Sequence, residues 1–444
     1  MMLHNTFIVV VLLTVVTLSR CDDIIVEGYK DVTELQFSVG IDSIKDLHKA
    51  LSEKPAVETV RISDQKVPTI PSKALSDLNL EELRIEYSGL EDIEPGALEG
   101  SNISTVSFSE NKIQKIKKGV FNNLKFQILH LVANEISHIE AGSFEGTIAG
   151  RIDLSGNKLA IIETSMFSKS TITTLRLENN NIDEIENDAF QKITDLNHVD
   201  LSRNKLEVLG DIFQDTENLT DINLDWNEIT QLQPDTFKGT SLVWIWIEQN
   251  KLTSVPKGVF NNLPIKLINL SWNRIATIEE GAFSNINSLS TVYLSHNNLA
   301  KLKASFFNGI SGTLNSLQLD NNHVSEIEPH TFKNIKIQEL ILSENNLTDI
   351  KKGMFDDADI EILRLERNQI SHIEVGAFDS ADIKDLIDVS ENRLTEIKKE
   401  MFKIPLSSVN LGDNEITSID EEAMRGLTLE DLKVENNPIS RNTV

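Results

Sequence analysis

Apolar residues recur along this chain in a fixed order, and an asparagine marks each recurrence. The segments VSFSENKIQKI, IDLSGNKLAII and LRLENNNIDEI share alternating apolar residues, then an asparagine, then two further apolar residues. Successive asparagines are 22 to 25 residues apart, and mostly 23. A period of this length predicts a stack of repeated units. The marker residues are Asn111, Asn134, Asn157, Asn180, Asn204, Asn227, Asn250, Asn273, Asn297, Asn322, Asn345, Asn368, Asn392, Asn414 and Asn437.

The frame extends backwards with Ser88 and Gln65 in the asparagine slot, which makes seventeen units that read L-x-x-L-x-L-x-x-N-x-L-x-x-I-x-x-x-x-F. A phenylalanine follows most markers by ten residues, although Phe213 comes one residue early. The other members of this column are Phe121, Phe144, Phe167, Phe190, Phe237, Phe260, Phe283, Phe307, Phe332, Phe355, Phe378 and Phe402, with Leu75, Leu98 and Met424 in the end units.

Each unit predicts a short strand, because its apolar residues alternate with polar ones before the asparagine. Strands of successive units would stack in parallel, since no unit can bury its apolar face alone. The asparagine would turn the chain out of the strand and satisfy backbone groups of neighbouring turns. The phenylalanines would fill the wider, convex side.

This pattern resembles the leucine-rich repeat of the extracellular, typical type over residues 57 to about 440. The resemblance implies an α/β solenoid, a curved horseshoe with a parallel β-sheet on its concave face. Similar repeats form the ectodomains of Toll-like receptors, chaoptin-like adhesion proteins, Slit-like ligands and soluble arthropod proteins, including the non-catalytic subunit of the secreted shrimp luciferase. Proteins of this kind bind partners and are not enzymes.

The N-terminal residues predict secretion. Residues 7–18 form an apolar run that is short for a membrane span and suits a signal peptide, which we assign to residues 1–21. Cleavage there would remove Cys21, the only cysteine, so the secreted chain would fold without disulfides. Residues 22–56 fit the repeat poorly, and a helical stripe at 41–51 predicts an N-terminal cap, followed by the solenoid at 57–444. No second long apolar run or glycolipid signal predicts a membrane anchor.

A net charge of −27 argues against nucleic acids and anionic membranes as partners, since both require a basic surface. No motif for a phosphate loop, a nucleophile elbow or a zinc helix occurs, and the histidines show no metal spacing, so we expect no cofactor and no metal site. Asp225 and Glu248 occupy equivalent positions in adjacent units. Such a pair would most simply be solvated surface, with a cation site or glycosidase carboxylates as alternatives.

Four tryptophans fall in three consecutive units, in INLDWNEI, SLVWIWIEQN and INLSWNRI. Leu, Ile and Val already occupy the core slots of these units, so the tryptophans should project from the concave sheet or its rim. The rim pair, Trp226 and Trp272, could instead merely lie over adjacent turns. Exposed aromatic clusters are enriched at binding sites, and we therefore predict a partner-binding site. Its residues would be Trp226, Trp244, Trp246, Trp272 and Tyr293.

Four N-x-S/T sequons predict glycosylation, at Asn102, Asn218, Asn269 and Asn346. Asn269 should point outward on the concave strand between Trp246 and Tyr293, where a glycan would cover the aromatics. Because sequons within strands are often left unmodified, we expect Asn269 to carry no glycan and the aromatics to remain open.

The sequence thus favours a secreted recognition or scaffold protein that binds a protein ligand or receptor through its concave face. A non-catalytic accessory subunit of a secreted enzyme and a carbohydrate-active enzyme are the alternatives. The last unit has no following unit to cover its apolar residues, so a homodimer through this end is also expected. These residues are Leu429, Leu432, Val434 and Ile439.

Overall fold

A computed structural model describes residues 34–37, 57–402, 404, 406–423 and 432–439. The predicted signal peptide, the predicted helical stripe of the cap, Met424 and Leu429 lie outside these residues.

The concave side is one sheet of eighteen strands, in which every strand pairs in parallel with the strand of the preceding unit. This is the sheet that the repeat predicts. Its strands are Glu34–Phe37, Thr59–Ser63, Asn79–Glu86, Asn102–Ser107, Lys125–His130, Ile148–Asp153, Thr171–Arg176, His198–Asp200, Asp221–Asn223, Trp244–Trp246, Leu267–Asn269, Thr291–Tyr293, Thr313–Gln318, Lys336–Ile341, Asp359–Arg364, Asp382–Asp388, Ser408–Asn410 and Leu432–Lys433.

The register of this sheet places equivalent residues of successive units side by side. Ile245, for example, lies opposite Ile222 on one side and Ile268 on the other, and all three are fully buried. Alternate residues of a strand point to opposite faces of the sheet. The apolar residues therefore form the buried face, and the residues between them form the outward face. The core is therefore a continuous column that runs through all units.

The sheet begins one strand earlier than the repeat frame. The strand Glu34–Phe37, inside the predicted cap, pairs in parallel with the strand Thr59–Ser63, with Glu34 opposite Thr59. The cap thus pairs with the first strand of the repeats, whose backbone N–H and C=O groups would otherwise be unpaired at the edge of the sheet.

The opposite side of the solenoid consists of turns and two-residue strands that pair in seven small parallel sheets. None of the described residues lies in an α-helix, so the helical component of the predicted α/β solenoid is replaced by these turns. The short strands are Thr69–Ile70, Asp92–Ile93, Lys115–Ile116, His138–Ile139, Ile161–Ile162, Glu184–Ile185, Ser254–Val255, Thr277–Ile278, Lys301–Leu302, Glu326–Ile327, Asp349–Ile350, His372–Ile373, Glu396–Ile397 and Ser418–Ile419.

The phenylalanine column forms stacked ladders inside the solenoid. Phe121, Phe144 and Phe167 form one run, and the column from Phe190 to Phe402 forms another, with ring centroids 5.3 to 6.4 Å apart. Phe213 keeps its place at 5.5 Å from Phe190 despite its early position in the sequence. The predicted structural role of this column is confirmed.

The asparagine column joins each turn to the preceding unit. Asn134 donates its amide to the carbonyl of Phe108 (2.9 Å) and accepts the backbone N–H of Ile113 (3.1 Å). The same pair of bonds recurs from Asn111 to Asn437. Buried polar backbone is satisfied in this way, as predicted.

The residue before each asparagine adopts a left-handed backbone. At Ala133, Trp226 and Trp272, for instance, φ is 52°, 57° and 55°. This conformation is uncommon for residues other than glycine, and here the hydrogen bonds of the asparagine hold it in every unit. We call this position the turn column.

Candidate functional site

Each unit has three outward positions on the concave side, two on the strand and one just after it in the central units, and these form three columns. In the unit of residues 242–250 they are Trp244 in the first column, Trp246 in the second and Glu248 in the third. Neighbouring members of a column are about 4.8 Å apart, the spacing of strands in a sheet. Side chains that are 23 residues apart in sequence therefore meet on this face.

Trp244 and Trp246 point out of the concave face, as predicted. Trp244 lies between Asp221 and Leu267 in the first column, and 41% of it is exposed. Trp246 is half-buried between Asn223 and Asn269. Since Ile245 and Ile247 fill the core beneath them, neither tryptophan is needed to complete the interior.

Trp226 and Trp272 lie at the rim, in the turn column. The guanidinium of Arg203 stands 4.9 Å from the ring centroid of Trp226, and the ring of Trp272 stacks on His296 at 3.7 Å. Both tryptophans remain nearly half exposed, at 49% and 46%. The rim tryptophans therefore cover a neighbouring turn residue and still present an apolar surface to solvent.

Tyr293, half-buried in the second column, completes a surface that we call the aromatic patch, made of Trp226, Trp244, Trp246, Trp272 and Tyr293. A shallow concavity of about 380 Å³ opens on its C-terminal side. Its lining residues are Glu248, Asn269, Ser271, Trp272, Tyr293, Ser295, His296, Gln318 and Asp320.

The sequence predicted that Asn269 points outward into solvent, but the structure buries it. It has the predicted register between Trp246 and Tyr293, but only 5% of it is exposed. Its amide donates to Glu248 Oε2 (2.9 Å), and its Oδ1 accepts the backbone N–H of Ser271 (3.0 Å). The larger side chains on both sides cover it. Asn102, Asn218 and Asn346, by contrast, are exposed.

Asp225 and Glu248 lie side by side in the third column, as predicted. Asp225 Oδ1 accepts the backbone N–H of Glu248 at 2.6 Å. Burial raises the pKa of Asp225 to about 7, and the negative charges of Glu248 and Asp200 add to this shift, although the backbone hydrogen bond opposes it. The two carboxylates are thus part of the hydrogen-bonded surface, with Asp225 partly protonated near neutral pH.

Three of the histidines lie in different columns of the concave face. His130 is in the second column, His198 in the first and His296 in the turn column. Burial lowers the pKa of His130, and the nearby Asp153 opposes the shift. Within the described residues, no group of three potential ligands could hold a metal ion.

Asp153, Arg176 and Asp200 occupy the second column of consecutive strands, so charge alternates there. Arg176 contacts Asp153 at 3.8 Å and pairs more closely with Glu178, which the sequence did not suggest. Arg364 pairs with Glu339 in the same manner, at 2.5 Å. The repeat predicts which residues share a column. It does not predict the rotamers, and these determine which carboxylate each arginine contacts.

Family models match most of the chain. The BspA type leucine rich repeat region matches residues 28–148, 115–243 and 207–335, and a second leucine rich repeat model matches residues 312–370 and 385–439. This chain belongs to the leucine-rich repeat family. No curated protein matches it significantly.

Solved leucine-rich repeat structures share its fold. A chain of the glycosylated Toll–Spatzle complex, a molecular hub in Drosophila development and innate immunity, is 22% identical with a TM-score of 0.73, over 92% of this chain and 57% of that one. A chain of the other form of this complex is 19% identical with a TM-score of 0.67, over 91% of this chain and 64% of that one. This chain therefore spans less than two thirds of the length of those chains.

A leucine-rich repeat protein of Leptospira interrogans is similar over nearly its whole length. It is 21% identical with a TM-score of 0.58, over 90% of this leucine-rich repeat chain and 95% of its own. At these identities the similarity establishes the fold alone. No helix among the described residues is long and apolar enough to cross a membrane.

Proposed function

We propose that this leucine-rich repeat protein is a secreted recognition or scaffold protein that binds a protein partner through the aromatic patch. The observation that carries the proposal is the exposure of Trp226, Trp244 and Trp272 on or beside the concave face, where the core does not require them. Large exposed aromatic side chains lose water on binding and dominate protein interfaces. The Toll–Spatzle structures, in which a similar solenoid is part of a protein complex, support this class of function.

The test is affinity capture from the extracellular fluid of the source organism, with bound proteins quantified by mass spectrometry. We expect Trp246→Ala, alone or with Trp244→Ala, to weaken capture of the specific partner by at least about 2 kcal/mol in binding free energy, because a central aromatic anchor is lost. The melting temperature should not change.

A matched control removes apolar side chains from outside the concave face. Ile161→Ala with Val208→Ala truncates two exposed apolar residues of the opposite side and should leave capture unchanged. Equal capture by the wild type and the tryptophan variants would show that the partner binds elsewhere.

The alternatives from the sequence make separate predictions. An accessory subunit would co-purify with an enzyme in a fixed ratio. A carbohydrate-active enzyme would turn over sugar and lose that activity in Asp225→Asn. A second copy of this chain, bound at the end where Leu432 and Val434 pack only partly buried against the core, also stays a prediction.

A further inference from the structure

The sheet face around the aromatic patch has one sign of charge. Across the six units whose strands run from His198–Asp200 to Thr313–Gln318, the three outward columns contain no lysine and no arginine. The same positions carry five carboxylates: Asp200, Asp221, Asp225, Glu248 and Asp320. On the sheet, the aromatic patch is therefore bordered by carboxylates.

Most of these carboxylates lack a cationic partner within the described residues. Asp221 contacts His198 (3.1 Å), and Asp200 lies opposite Arg176 of the neighbouring strand. Asp225, Glu248 and Asp320 form no ion pair within the described residues. Their partners are neutral groups: Asp320 accepts the hydroxyl of Ser295 at 2.6 Å, for example. Burial is the main cause of the raised pKa of Asp225, and the neighbouring charges of Glu248 and Asp200 add to it.

One tryptophan of the patch already holds a cation of this chain. Arg203 lies over the ring of Trp226, in the geometry of a cation–π contact. Trp244 is exposed and lies opposite Asp221, and the half-buried Trp246 is two positions before Glu248 in the same unit. Guanidinium groups stack on such faces and bind carboxylates through paired hydrogen bonds.

We propose that the aromatic patch receives a cationic segment of the protein partner, whose arginine or lysine side chains stack on the tryptophans and pair with Glu248 and Asp320. This inference rests on the proposed function and names the chemistry of the partner. Charge complementarity selects this occupant, because an acidic segment would meet like charges across the whole surface and a neutral one would leave the carboxylates without counter-charges.

The four tryptophans supply a local test. They are the only tryptophans of the chain and all lie in the patch, so intrinsic fluorescence reports binding there and is insensitive to peptide bound at distant acidic surfaces. The probe is a hexa-arginine peptide, titrated into the full-length protein at physiological salt. We expect a saturable change in tryptophan emission.

Two double variants with the same change of net charge make the test specific. Glu248→Gln with Asp320→Asn should lower the affinity for the peptide about ten-fold, because two ion pairs with the peptide are lost. Asp183→Asn with Glu184→Gln should change the affinity by less than about two-fold. These two carboxylates are exposed on the opposite side of the solenoid, where salt screens their effect on the patch. Both substitutions in the patch keep a carbonyl oxygen as hydrogen-bond acceptor, and a melting curve checks the fold.

Three results would overturn the inference: no change in emission, equal weakening by both double variants, or the same emission change with Ca²⁺ alone. The proposed function is tested separately by capture of the native partner. If Trp246→Ala abolishes capture while Glu248→Gln with Asp320→Asn has no effect on it, the binding face stands and the cationic partner is wrong. If neither variant affects capture, the proposed function itself fails.

Discussion

The centre and the flanks of the concave sheet have the same interior and different outward surfaces. The five strands from His198–Asp200 to Thr291–Tyr293 contain three residues each, whereas those from Asn79–Glu86 to Thr171–Arg176 contain six to eight. The inward residues are buried in both regions. Outward, the flanks carry arginine–carboxylate pairs, and the centre carries tryptophans and unpaired carboxylates.

This difference indicates where specificity lies in a repeat solenoid. Each unit must bury the same apolar positions, because it can stack on its neighbours only through them. The outward positions make no contribution to that interior and can differ from unit to unit. A region whose outward residues pair with one another contributes surface stability, whereas a region that leaves aromatic surface exposed and carboxylates without cations is suited to bind another molecule.

The largest predicted effect tests whether the interiors are equivalent. Phe237→Ala in the centre and Phe144→Ala in the flank should each lower the free energy of unfolding by about 3 to 5 kcal/mol, because each removes a fully buried, stacked ring and leaves a cavity. Urea unfolding measures both. A cost for Phe237→Ala far below that of Phe144→Ala would show that the central core is packed differently.

The second prediction concerns the unbalanced charge of the centre. The pKa of Asp225 is raised from 3.8 to about 7, so between these values the unfolded chain has released a proton that the folded chain retains. This carboxyl therefore lowers the stability of the fold as the pH rises from about 4 to about 7. Asp225→Asn should melt like the wild type below pH 4 and at a higher temperature above pH 7.

The control for this pH dependence is Glu184→Gln, which removes one negative charge from the exposed opposite side. It reports the effect of net charge alone. If the difference between Asp225→Asn and the wild type is the same at every pH, the pKa of Asp225 is not raised and the central charge is balanced.

A smaller effect is expected in the flank. Arg364 pairs with Glu339 at 2.5 Å, and this pairing raises the pKa of the guanidinium. Arg364→Gln should lower the free energy of unfolding by about 0.2 to 1 kcal/mol, the usual contribution of a partly exposed ion pair. The loss should shrink at high salt.

Arg274→Gln is the matched control for the flank, since Arg274 is exposed and forms no ion pair within the described residues. Unfolding in denaturant at low and at high salt compares the two. Identical stabilities for both variants would mean that arginine pairs do not distinguish the flanks from the centre.

The smallest predicted effect is an absence of modification. Asn102, Asn218 and Asn346 are exposed and should carry glycans in the secreted protein, while Asn269 is buried and hydrogen-bonded and should carry none. Peptide mass spectrometry of protein from the source measures the occupancy of each site. A fully occupied Asn269 would mean that the aromatic patch is covered by the protein's own sugar, and the partner would then bind another part of the concave face.

The sequence alone determined the repeat frame, the seventeen repeat strands and the sorting of residues into inward and outward columns. It could do so because a strand alternates with a period of two and the units recur with a nearly constant spacing, so one unit predicts the next. The same regularity predicted the hydrogen bonds of Asn134 and the place of Phe213 in its column.

The tertiary structure decided what the outward side chains do. Trp272 stacks on His296, and Arg203 contacts Trp226. Asn269 is buried between the strands of the neighbouring units. Each case depends on residues about 23 positions apart in sequence. Sequence spacing brings such residues into the same column, but rotamers and the size of the neighbouring side chains determine which groups touch and which lose water. Because burial and nearby charge set the pKa of Asp225, that property too exists only in the folded sheet.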